Sequence, residues 1–244
     1  LFIVGDIVEK GPMSLKTLRY VMKLCKDYMV YPLIGNVDAY RLLMLDNNNT
    51  ENCQKIYEYV KFMEKHWGIS FFIEMCQELD IHIYGPDDIP YAKEQINIKF
   101  MEELNFLRNL PTIIETKNYI FVHGGIPSED IDSFAGTDAF QYLKNDAFME
   151  KGLEFKKYVV VGHWPVTLYN DKIASSNPII NKKQKIISLD GGCGLKRDGQ
   201  LNALIISDID SEDITFEYYD DFPVAFAQTP QEGSENSVNI RYSD

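Results

Sequence analysis

Several broad classes are excluded by what this 244-residue sequence lacks. Its four cysteines, Cys25, Cys53, Cys76 and Cys193, have no close pairing and no metal-type spacing, which argues against a disulfide scaffold or a cysteine-held zinc and for free thiols in a reducing cytoplasm. No apolar run reaches the roughly 20 residues that a membrane-crossing helix needs. Basic residues are scarce, 24 against 37 acidic, for a formal charge of −13, so neither nucleic acid nor an anionic membrane is an expected partner. Histidines number only four, which makes their positions informative. There is no internal repeat. The chain begins with Leu1 inside an apolar run, without a signal-peptide pattern before it, and we expect the natural N-terminus to lie upstream.

What is present is a plan repeated four times. LFIVGD (1–6), YPLIGN (31–36), YIFVHGG (119–125) and YVVVGH (158–163) are apolar runs that end in a polar residue beside glycine. Each reads as a buried strand. Residues 14–28 between the first two carry apolar side chains at helical spacing, with Ser14 as a fair N-cap, so a parallel β-α-β unit is expected. In open α/β sheets ligands sit at the carboxyl ends of strands, which would gather Asp6, Asn36, His123 and His163 on one rim. One carboxylate, one amide oxygen and two imidazoles are a plausible metal set.

Between residues 50 and 110 the apolar spacing is helical, predicting a helical insertion whose core includes Trp67; His66 and His82 on it read as non-functional. A helix is expected from Val37 to Leu45 and another over residues 138–155. Strands are expected at 185–189, 201–207 and 214–219. One domain would span residues 1–228, followed by a polar tail at 229–244.

GDIVEKGP (5–12), GNVDAY (35–40), FVHGG (121–125), VVGH (160–163) and DGGCG (190–194), in this order, resemble the calcineurin-like metallophosphoesterases. The PPP-type branch and its bacterial relatives, which include diadenosine tetraphosphatases, are the most similar. The resemblance implies a four-layer α-β-β-α sandwich and a cytoplasmic hydrolase of phosphorylated small molecules. It also implies two divalent ions (manganese, iron or zinc), with Asp6 bridging them and Asn36, His123 and His163 completing the second ion's shell. Glu9 would stand at the position of a catalytic acid, and Lys10 and Lys144 would contact phosphate.

The sequence departs from the family pattern in four places. The Asp-x-His motif that supplies the first metal is absent from the chain as given. Val37 replaces the family's proton-donating histidine, and Glu9 the aspartate paired with it. Lys10 replaces an arginine, keeping charge but not the bidentate fork. In LKNDAF (143–148), Asn145 replaces a phosphate-binding arginine, leaving Lys144 as a substitute. General-acid help is worth about 100- to 10,000-fold, so its loss predicts a preference for good leaving groups. The alternative is a catalytically weak relative that binds a phosphorylated ligand or a protein.

Overall fold

Glycine and left-handed backbone cut the first strand short. In the computed structural model, β1 covers only Phe2–Ile3, because Gly5 and Asp6 adopt positive φ (86° and 54°) and turn the chain out of the ladder. The structure describes residues 1–46, 53–134, 138–169, 175–194 and 199–206, and the backbone of 214–219. The expected polar tail lies outside the described residues. The chain divides after Pro111 into two compact units, each described by itself.

In the first unit, β1 pairs in parallel with β2 (Tyr31–Pro32), and α1 (Ser14–Asp27) makes the crossover. Ser14 is the first residue of α1 rather than its N-cap. The orphan N–H groups of Ser14 and Leu15 instead donate to the two carboxylate oxygens of Glu74, each at 2.7 Å. Glu74 belongs to α4 (Phe71–Glu78), one of four insertion helices, with α3 (Cys53–Trp67), α5 (Ile89–Lys99) and α6 (Met101–Arg108). Arg19 of α1 reinforces the junction, with Nη1 and Nη2 donating to Glu78 and Nε to Glu103. Leu18, Val60, Phe71, Met75, Ile96 and Leu104 fill the core between these helices. The expected helix at Val37 is α2 (Asn36–Leu45).

The second unit contains a mixed five-stranded sheet in the order β3-β4-β5-β7-β6. Its strands are β3 (Ile113–Glu115), β4 (Tyr119–Val122), β5 (Tyr158–Val161), β6 (Ile179–Asn181) and β7 (Ile186–Ser188). The central three are parallel and their apolar runs are buried on both faces, as uninterrupted Val/Ile sequence requires. The short edges β3 and β6 pair antiparallel. A separate hairpin joins β8 (Leu201–Ile206) and β9 (Ile214–Tyr219).

The helix expected over 138–155 is not continuous. It is a single turn, α7 (Phe140–Leu143), and a 3-10 turn at Phe148–Lys151, separated by left-handed Ala147 and ended by left-handed Gly152. Local hydrogen bonding of Asn145 and Asp146, described below, competes with helix there. The architecture is nonetheless mixed α/β with a helical insertion, and no helix of the described residues is long and apolar enough to cross a membrane.

Candidate functional site

The first unit presents Asp6, Glu9 and Lys10 on the loop after β1 and Asn36 at the start of α2, next to the loop after β2. Parallel pairing of Phe2 with Tyr31 and Ile3 with Pro32 sends both strands out at the same end, toward Asp6 and Asn36. Three contacts then join the loops. The Val37 N–H donates to Asp6 Oδ1 at 2.9 Å. Asp38, fully buried, accepts from the N–H groups of Ile7 and Val8 on Oδ1 and of Gly35 on Oδ2. Gly35 lies so close that a Cβ there would meet Asp6 Oδ1 at 2.1 Å and its backbone nitrogen at 2.2 Å. The loop conformation is costly, with Asp6, Glu9 and Lys10 all at positive φ, and strain of this kind persists only where surroundings over-determine it.

Glu9 is held by an ion pair on one oxygen and a backbone N–H on the other. Its side chain is 1% exposed; Oε2 pairs with Arg41 Nε at 2.9 Å, and Oε1 accepts from the Phe71 N–H at 3.2 Å. Its own N–H donates to Ser14 Oγ. Burial pushes the Glu9 carboxyl up from its ordinary value, against the pull of Arg41. The Arg41 guanidinium lies over the Tyr59 ring, 4.0 Å from its centre. Lys10 is half-buried and makes no ion pair or hydrogen bond among the described residues. Val37 is buried at the start of α2, and its apolar side chain offers no proton.

The second unit presents His123 and His163. The register that aligns Phe121 with Val160 brings both strand ends out together, and the Gly162 N–H donates to the His123 carbonyl at 3.0 Å. Their rings meet edge to face with centroids 5.2 Å apart. His123 is buried and His163, at φ 62°, is nearly so. His163 Nε2 and Asp146 Oδ1 are hydrogen-bonded at 2.7 Å. That bond, with Lys144 Nζ 3.7 Å from Oδ2, holds the Asp146 carboxyl below its ordinary range. Asn145 accepts from Lys151. Asp190, at the end of β7, accepts the Gly192 N–H on Oδ1.

Each unit therefore holds two of the four expected metal donors. Among the described residues no group of three or more His, Cys, Asp or Glu side chains could hold a metal ion. The donors are of nitrogen and oxygen type, suited to manganese, iron or zinc. His66 and His82 lie exposed on the insertion; His66 Nδ1 meets the Phe62 carbonyl. Sequence reading missed Arg41 and Asp146, and considered Asp38 as an alternative proton source and not as the clamp between the two segments. Asp38 carried a signal as the acid ending Gly-Asn-Val-Asp, whereas Arg41 and Asp146 are recognisable only once tertiary contacts are seen.

Comparison with known proteins adds three findings. The sequence pattern of the family described as calcineurin-like phosphoesterase matches residues 1–184. An asymmetrical bis(5'-nucleosyl)-tetraphosphatase, PrpE, of Oceanobacillus iheyensis is 27% identical over 132 residues, 52% of this chain and 42% of that protein, so the match spans less than half the length of this relative. A solved structure of a hypothetical protein from Pyrococcus horikoshii OT3 superposes at a TM-score of 0.41 and 14% identity, covering 88% of this chain and 72% of the other.

Proposed function

The chain belongs to the calcineurin-like phosphoesterases, a hydrolase family, and on that premise we propose that it is a metal-dependent phosphoesterase acting on small phosphorylated molecules with good leaving groups. Nucleotide polyphosphates and aryl phosphates are the favoured substrates; the tetraphosphatase relative supports the first of these. Asp6, Asn36, His123 and His163 would hold the metal, manganese being the first to try. A divalent ion there would supply Lewis-acid charge to the phosphoryl group.

The chain's own residues account for the rest. Lys10, a cation with no carboxylate partner among the described residues, would neutralise a phosphate oxygen, and Lys144 would do so from the second unit with Asp146 competing for its charge. Asp38 spends its carboxylate on three N–H groups. The observation that carries the leaving-group preference is Val37, which puts an apolar, buried side chain where proton donation would be needed. A departing alkoxide of high pKa would go unprotonated, whereas a phosphate or nitrophenolate leaves as a stable anion. The four free thiols are in keeping with a reducing, cytoplasmic compartment.

The test is a rate series on the full-length protein with manganese, from alkyl to aryl phosphates to diadenosine tetraphosphate. Rates should fall steeply as leaving-group pKa rises, and Val37→His should flatten that slope by raising alkyl rates most. Equal effects of Val37→His on alkyl and aryl substrates would remove the basis of the preference. One observation favours a second reading, a weak or inactive relative that binds a phosphorylated ligand or a protein: the buried, apolar Val37 has no proton to give. A full-length protein that binds no divalent metal at equilibrium would select it.

A further inference from the structure

We propose that Glu9 and Arg41 form a buried positioning pair, which fixes the Asp6 loop to the helical insertion instead of transferring a proton. The geometry carries this reading. Glu9 occupies a left-handed backbone position between Asp6 and the start of α1, and its side chain reaches three other elements. Oε2 meets Arg41 of α2, Oε1 takes the N–H of Phe71, the first residue of α4, and through Arg41 the pair reaches the Tyr59 ring of α3. Its backbone N–H engages Ser14, whose own N–H is held by Glu74 of α4. One carboxylate thus links the site loop, α2 and the insertion.

A group that exchanges protons with substrate must be reached by it, and Glu9 is shut away at 1% exposure beside a guanidinium 12% exposed. Arg41 cannot replace an imidazole as donor, because a guanidinium does not give up its proton in this range. It can replace the imidazole as the partner that keeps the acid oriented. A buried pair of this kind adds little net stability over an apolar pair of equal volume, yet removal of one partner strands the other charge. Its benefit is a unique loop conformation, here three strained residues that include Asp6.

This inference rests on the metallophosphoesterase reading only where it concerns what Asp6 does; the tethering itself can be measured without activity. The experiment uses the full chain as wild type, Glu9→Gln, Arg41→Met, Arg41→Lys and the Glu9→Gln/Arg41→Met double variant. Amide exchange of residues 5–11 and of Phe71 is followed at a temperature where all remain folded. Each single neutral variant should exchange about a hundredfold faster at these amides, the double variant no faster than the worse single, and Arg41→Lys near wild type. Losses that simply add in the double variant would overturn the pairing. So would unchanged exchange in both singles.

Manganese binding by electron paramagnetic resonance separates positioning from bulk stability. Affinity should fall in both neutral singles and be partly restored in the double variant, while the pH–rate profile of Glu9→Gln with p-nitrophenyl phosphate keeps both limbs. Unaltered affinity, or loss of a limb, would overturn the proposal and return Glu9 to a proton-transfer role. Wild-type protein that neither binds manganese nor hydrolyses phosphate would defeat the hydrolase reading, and the exchange data would still decide whether the pair tethers the loop.

Discussion

Removal of the Asp38 carboxylate is the perturbation whose size follows most directly from the structure. Asp38 is fully buried and accepts three backbone N–H bonds at 2.9 to 3.1 Å, two from the loop after β1 and one from Gly35. Hydrogen bonds to a charged group are worth about 1.5–3 kcal/mol each, and a buried donor left unpaired costs about 1–3 kcal/mol. Asp38→Ala should therefore destabilise the protein by roughly 5 kcal/mol, a large part of the stability of an ordinary domain at about 5–15 kcal/mol. Asp38→Asn is the controlled version. It keeps one acceptor oxygen but turns an amide NH2 toward a backbone donor, so about 2–3 kcal/mol should be lost. Urea unfolding followed by circular dichroism gives both values from the midpoint shift at constant slope. If Asp38→Ala fails to fold, the Asn variant still tests the claim. A cost below about 1 kcal/mol for either, or equal costs in two folded variants, would refute the view that this carboxylate holds the two loops together.

Other outcomes follow from single residues. Gly35→Ala should cost about 3 kcal/mol or more and weaken manganese binding, because the added Cβ meets Asp6 backbone that cannot move aside; an unaltered melting curve would contradict this. Asp146 is held below its ordinary pKa chiefly by His163, so its contribution is present above the unfolded value and lost as pH falls through the folded one. Metal-free wild type should thus exceed Asp146→Asn in stability near pH 6 by at most about 1 kcal/mol, since the carboxylate is half-exposed, and the difference should shrink in paired urea melts as acid protonates the folded-state carboxylate. Iodoacetamide at pH 8 should label exposed Cys193 quickly and leave Cys76 intact, because burial pushes that thiol up to about 12. Peptide mapping reads the order, and early loss of Cys76 would show that the insertion opens.

The strand ends were legible because continuous apolar runs bounded by glycine leave few alternatives. β4 and β5 are buried along their whole length, and His123 and His163 follow from the register of one parallel pair. The helices were legible for the complementary reason: Leu15, Leu18, Val21 and Met22 make one buried stripe of α1. What could not be read was decided by contacts between distant residues. Ser14 has the chemistry of an N-cap, but a carboxylate 60 residues away takes that work and pulls Ser14 into the helix. The segment 138–155 has the apolar content of a helix, yet Asp146 turns to His163, Asn145 to Lys151 and Ala147 becomes left-handed. The edges β3 and β6, three residues each, exist only through the neighbours they pair with.

The same contrast bears on chemistry. The acids that motif order singles out in the first unit are surrounded by backbone N–H groups or by arginine. Asp38 is bound to three amides, Glu9 to Arg41 and Phe71, and Asp6 Oδ1 to the amide of Val37. For Glu9 burial outweighs the pull of Arg41 and raises the carboxyl, but at 1% side-chain exposure it stands out of a substrate's reach. On the proposed reading, neither Glu9 nor Asp38, both shut away from solvent, stands in for a histidine at position 37. On that reading the loop would hold and orient a phosphoryl group and would lack what protonates a leaving alkoxide. The proposed enzyme would suit substrates that carry their own stable leaving group, a property the phosphoanhydride has without assistance from the protein.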